Sequence, residues 1–317
     1  MVSSSATAIQ ERDHHPANAK QPGYTDMNRR EFLRQSALLG SALAFHHRIP
    51  LLKAAEGRGI HLGLVTYNLA RSWDIETIIR RCTAHRFEQV ELRSTHAHGV
   101  EPNLDQAARQ KVRDRFADSA VQLISLGCAC EFHALDPAVV RKNIEETQAF
   151  IRLAAAVGAR AVKVRPNGLP KERPVSDTLK QIGAALRELG AWSAAEGHDI
   201  ALWLEVHGSG TSHVPHIKTI MEQADHPLVG VTWNCNSSDL IEGSCKENWM
   251  LVHQWVRCLH IHDLWNEKEY PWKELFGLLR KTEWSGSALW ERGGEADNPD
   301  ALMAQQRAAF DTLMQQA

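Results

Sequence analysis

From residue 59 onward, short apolar runs alternate with longer stretches in which apolar positions recur every three or four residues. The short runs are IHLGLVTY (60–67), FEQVELR (87–93), VQLISLG (121–127), AVKVR (161–165), IALWLEV (200–206), LVGVTW (228–233), VRCLHIH (256–262) and SALWE (287–291). Each has the length of a strand. Between them, segments such as IETIIRRCTAH, VRKNIEETQAFIRLAAAVG and LKQIGAALRELGAWSAAEG carry helical spacing, and two of these end in a glycine able to cap a helix. Repeated alternation of strand and helix predicts a parallel sheet, and eight units predict its closure into a single-domain α/β fold, a (β/α)8 TIM barrel over residues 58–317. The alternative is an open doubly wound sheet. That fold calls for a glycine-rich phosphate loop after its first strand, and TYNLARSWD (66–74) has no glycine.

In such a barrel the chemistry sits at the carboxyl ends of the strands. Those ends carry Tyr67 and Asn68; Glu91 and Arg93, with His96 and His98 beyond; Glu131 and His133; Lys163 and Arg165; Glu205 and His207; Asn234 and Asn236; His260, His262 and Asp263; and Glu291 with Arg292. A core has no use for so many ionisable groups, because each costs several kcal/mol to bury unpaired. Trp73, Trp233, Trp265 and Trp290 fall near the expected mouth, where they could stack on sugar C–H groups or serve as ordinary packing.

Composition narrows the partners. A net charge of -2 supplies no general field for nucleic acid or an anionic membrane. Cys82, Cys128, Cys130, Cys235, Cys245 and Cys258 include no CxxC pair with zinc spacing, and buried free thiols are expected.

Residues 1–57 read as an extension ahead of the barrel. Within it, MNRREFLRQSALLGSALAF places Arg29 and Arg30 before an apolar run from Ser36 to Phe45, which resembles a twin-arginine export signal over residues 29–55. The run is too short for a stable membrane anchor, which takes about 20 residues. The resemblance implies export to the periplasm of an already folded protein.

The motifs VELR, LWLEVHG, LVGVTWNCN, LHIHDL and ALWER, in this order, resemble the xylose-isomerase-like barrel superfamily of sugar isomerases and epimerases related to endonuclease IV, over about residues 59–317. That resemblance implies one divalent metal ion (Mn, Co, Mg or Zn) held by Glu205, Asn234, His260 and Glu291. It also implies that Glu205 and Glu291 double as the acid/base pair. Asn234 departs from the family, which has an aspartate there; an amide oxygen binds hard cations less tightly than a carboxylate does. His207 and Arg165 are candidates to bind substrate, as are Glu91, His96, Asn236, His262 and Arg292.

The activity implied is proton transfer beside a ketose carbonyl, through an enediolate that a metal stabilises. Two alternatives stand beside it: β-elimination from 3-keto-glycosides by the same site, and a non-catalytic carbohydrate-binding barrel whose metal site has decayed. The expected partner is a small sugar or keto-sugar, with no nucleic acid, and homo-oligomerisation stays open. A nuclease reading is disfavoured, because HDLWNEKEY offers no further Asp-x-His pair for a metal cluster and the chain is not basic.

Overall fold

The structure, a computed structural model, describes residues 59–316. Strand and helix alternate throughout: β1 (Ile60–Val65), α1 (Ile75–Ala84), β2 (Gln89–Arg93), α2 (Gln106–Ala117), β3 (Gln122–Glu131), α3 (Pro137–Val157), β4 (Ala161–Arg165), α4 (Val175–Ala195), β5 (Ala201–Glu205), α5 (Val214–Ala224), β6 (Val229–Trp233), α6 (Lys246–Val252), β7 (Val256–Ile261), α7 (Trp272–Lys281), β8 (Gly286–Trp290) and α8 (Pro299–Gln316). The strands pair in sequence order, and β8 pairs in parallel with β1 through Ile60 opposite Gly286 and Leu64 opposite Trp290. The sheet is therefore a closed (β/α)8 barrel, which removes the open-sheet alternative. The segment with Arg29 and Arg30 lies outside the described residues, and no helix among those described is long and apolar enough to cross a membrane.

Successive side chains on a strand point to opposite faces, so each strand divides its residues between the barrel interior and the helical shell. Inside, Val65, Ile124, Ala161, Ala201, Trp203, Cys258 and Leu289 pack on one another. Outside, residues such as Leu62, Val162, Leu204, Val231, Trp233 and Trp290 form the larger core with the helices. All six cysteines are buried and free, as their spacing suggested.

One strand runs beyond its apolar sequence. β3 continues past Gly127 to Glu131, with a shift of register between the two, and this brings Glu131 opposite Arg165 of β4. Small side chains allow it: Cys128 and Cys130 are buried while Ala129 is exposed, so alternation persists without bulk. Gly127 is itself required. A β-carbon there would stand 2.7 Å from the Glu91 carboxylate.

Candidate active site

Three separate strands deliver the centre of the site. Glu205 is the last residue of β5, His260 lies on β7, and Glu291 directly follows β8. One ligand atom from each lies within 4.8 Å of the others. His260 Nδ1 faces both carboxylates, at 3.6 Å from Glu205 Oε1 and 3.4 Å from Glu291 Oε2. Asn234 follows β6, lines the same cavity as Glu205 and Glu291, and leaves its buried Oδ1 without a hydrogen-bond partner. Both ring nitrogens of His260 likewise lack a hydrogen bond. Two carboxylates, an imidazole nitrogen and an unpartnered amide oxygen are donors suited to a divalent cation, so the residues fit the metal that the sequence implied.

Glu91 and Lys163 complete the centre from neighbouring strands. Glu91 is fully buried; its Oε2 accepts a hydrogen bond from Ser125 Oγ at 2.8 Å, and its Oε1 lies 3.6 Å from His260 Nε2. At that distance the contact is electrostatic, and the Glu91 carboxylate faces the imidazole from the side opposite Glu205 and Glu291. Lys163, also fully buried, donates from Nζ to Glu205 Oε2 at 2.8 Å. Burial alone would drive these carboxylates toward the neutral form. The Lys163 ammonium and the His260 imidazole outweigh burial and hold Glu205 well below the usual carboxylate range. Against the same burial, His260 holds Glu291 low. Conversely, burial opposes the charge on His260, but Glu291 and Glu91 outweigh it and raise the imidazole well above its usual value.

Above this centre opens a cavity of about 820 Å³ whose lining includes Arg165, His207, Asn236, His262 and Arg292. Five of the anticipated substrate contacts are therefore on its wall. Gly208, at φ 91°, packs so closely on Asn167 that a β-carbon would stand 2.5 Å from its Cα, and this turn sets His207 beside Asn167. His207 Nδ1 lies 2.6 Å from Asn167 Oδ1, while Asn167 Nδ2 and Arg165 both donate to Glu131. That chain of partners makes Nδ1 the donor and leaves Nε2 as an acceptor. His262 Nδ1 stands 3.1 Å from Glu269, and Arg292 pairs with Asp263. Between Asn234 and Asn236, Cys235 takes φ 49°, a left-handed kink after which both asparagines line the cavity.

Several expectations are corrected by position. Glu91 and His96 are not on the cavity wall: Glu91 is buried against His260, and His96 Nδ1 lies 3.3 Å from Thr66 Oγ1. The four tryptophans expected at the mouth do not line the cavity either. Trp233 and Trp290 occupy the outward positions next to inward-facing Asn234 and Glu291, where their Nε1 atoms donate to Tyr270 Oη and Asp263 Oδ1. Trp73 lies under the Arg81 guanidinium. Trp265 packs edge-on against Trp290. The cavity's aromatic wall is Tyr67, with the Arg93 guanidinium 4.8 Å from its ring centre. Lys163 stands among the strand-end residues named from the sequence, but no role in the site is assigned to it there. Its signal was a lysine in the middle of the apolar strand AVKVR, on the same face as Arg165.

With fold and site in view, comparison places the chain. The profile of the xylose isomerase-like TIM barrel matches residues 79–313, and the chain belongs to that family. Among solved structures it is similar to the 3-keto-D-glucoside 4-epimerase YcjR from E. coli, at 14% identity and TM-score 0.64 over 81% of this chain and 99% of that one. It is also similar to an L-ribulose 3-epimerase, at 14% identity and TM-score 0.66 over 81% and 95% of the two chains. A third similar structure is the IolI protein with a bound zinc atom, at 12% identity and TM-score 0.64 over 80% and 98%. No curated protein matches the chain in sequence.

Proposed function

We propose that this protein is a sugar-modifying enzyme that moves the proton beside the carbonyl of a ketose or keto-sugar, with one divalent metal ion as cofactor. The observation that carries this reading is the convergence of Glu205, His260 and Glu291 within one ion's reach at the base of the cavity. Similarity to a 3-keto-D-glucoside 4-epimerase, an L-ribulose 3-epimerase and a zinc-bound barrel supports it.

Glu205, Asn234, His260 and Glu291 would hold the ion, which when bound supplies Lewis acidity toward a substrate carbonyl and so acidifies the neighbouring C–H. Glu205 and Glu291 are the carboxylates next to that position, and Glu291, the more open of the two, is 10% exposed at its side chain against 4% for Glu205. Proton return to the opposite face inverts the carbon; return to the neighbouring carbon isomerises the sugar. His207, through Nε2, would accept a hydrogen bond from a substrate hydroxyl, and Arg165, Asn236, His262 and Arg292 would contact the remainder of the sugar. A second reading, β-elimination from a 3-keto-glycoside, is favoured by the cavity itself, which is near the upper end of small-molecule sites and leaves room for an aglycone.

Deuterium uptake from heavy water into a panel of ketoses and 3-keto-glycosides tests the proposal. Manganese-loaded protein should catalyse exchange, a chelator should abolish it, and Glu291→Gln should slow it by about 10³-fold while the protein stays folded. No exchange with any compound in the panel would remove the activity, and product analysis separates epimer, isomer and elimination product. Export by the twin-arginine route belongs to the same proposal: with Arg29 and Arg30 both changed to lysine, precursor should remain in the cytoplasm. Unaltered periplasmic accumulation would refute it.

A further inference from the structure

Glu205 has unequal oxygens. Oε2 accepts a hydrogen bond from Lys163 at 2.8 Å, and Oε1 is turned toward His260 Nδ1 at 3.6 Å. We propose that Lys163 is a positioning residue that occupies one oxygen of Glu205 and so confines this carboxylate to single-oxygen binding of the metal. The inference rests on the metal-dependent reading above and deepens it.

The lysine has no other place to go. It is fully buried on β4, in register with Trp203, two residues before Glu205 on the adjacent strand. An ammonium without solvent costs several kcal/mol unless it is paired, so the bond to Oε2 persists. The remaining buried carboxylate of the centre, Glu91, is already engaged by Ser125 and faces His260. Glu291 is held more loosely. Its partner Arg93 stands 3.3 Å away, is 21% exposed at its side chain, and also lies over the Tyr67 ring.

The consequence concerns room for substrate. A carboxylate with both oxygens free can bind a divalent ion through the pair of them. Restricted to one, Glu205 would occupy one coordination position rather than two beside Asn234, His260 and Glu291, whose Oε1 accepts a hydrogen bond from Arg93. A bound ion would thereby have one more position open to an oxygen of the sugar. Lys163 also places a positive charge near the ion, which weakens metal binding and leaves the ion a stronger acid toward substrate.

Calorimetric titration of the full chain with Mn²⁺ tests this, using wild type, Lys163→Met and Lys163→Gln, together with the KM of deuterium exchange. Both substitutions remove the charge, and each should tighten Mn²⁺ binding by about tenfold. Only Lys163→Met frees Oε2, so it should raise KM, whereas Lys163→Gln keeps an N–H donor on that oxygen and should hold KM near the wild-type value. If either variant, folded by circular dichroism, binds Mn²⁺ no more tightly than wild type, or if the two share one KM, the positioning role is wrong. Should Lys163→Met fail to fold, the Mn²⁺ affinity and KM of Lys163→Gln decide. Wild-type protein that binds no Mn²⁺ would instead overturn the metal-dependent function, and this inference with it.

Discussion

The apolar level of the barrel interior includes Ala161, Trp203, Cys258 and Leu289, members of one packed cluster; two residues further toward the mouth on each of the same four strands stand Lys163, Glu205, His260 and Glu291, and the strand register interleaves the two sets, with Trp203 opposite Lys163 and Leu289 opposite His260. The backbone supplies both levels by the same alternation of side chains. What differs is the environment each level creates. The apolar level keeps water from beneath the charged one, so each ion pair above acts in a medium of low dielectric and is correspondingly strong. The charged level tolerates its burial because its members compensate one another: Lys163 and His260 against Glu205, Glu91 and Glu291. A packed base and a balanced set of charges are thus interdependent.

The strongest way to break this relation is from below. Trp203→Ala should lower unfolding stability by about 3–5 kcal/mol in a denaturant titration, because a large buried side chain leaves a cavity. Water entering that cavity should also weaken Mn²⁺ binding, although Trp203 itself is no ligand; unchanged affinity would show the two levels to be independent.

From within the charged level the expected effect is smaller. Asn234→Asp adds a carboxylate where Oδ1 is now unpartnered, and Mn²⁺ affinity by calorimetry should rise by about tenfold, since a divalent ion prefers a charged oxygen to an amide. Turnover should fall at the same time, because a more neutralised ion is a weaker Lewis acid. Wild type that fails to bind metal beside a variant that binds it would mean that the native site has decayed.

Asp239 sharpens the comparison by contrast. It is fully buried in the turn after β6, where Oδ2 accepts the Asn236 N–H at 2.8 Å, and burial pushes its pKa up to about 8. Its folded pKa is above the unfolded value, so the stability it contributes is complete below about pH 4 and is lost as pH rises through 8. Asp239→Asn keeps an acceptor for the Asn236 N–H and removes the titration. The variant should therefore gain on wild type between pH 5 and pH 8 by up to about 4 kcal/mol, at about 1.36 kcal/mol for each of three pH units. Parallel pH–stability curves would contradict this. Glu205, buried to a similar degree, is held low instead, because a lysine faces it.

The barrel was legible from periodicity, since a strand buried on both sides must be apolar in one dimension and a helix against it must be apolar every three to four residues. The metal-site candidates were legible for a related reason: Glu205, His260 and Glu291 are polar at the ends of strands that are otherwise apolar, and barrel topology sends all such ends to one mouth. Direction was harder to read. Trp233 and Trp290 adjoin site residues in the chain yet point into the helical shell, whereas Tyr67 reaches the cavity. Composition places an aromatic near a mouth, but one step along a strand reverses its face.

Pairing across strands lies further from the sequence still. That Lys163 occupies one oxygen of Glu205, that Glu91 faces the far nitrogen of His260, and that Asn167 orients His207 depends on the register of separate strands and on a turn at Gly208. A linear pattern records which residues face inward. Which of them touch is decided when the strands close into a barrel, because only then do side chains dozens of residues apart compete for the same few ångströms.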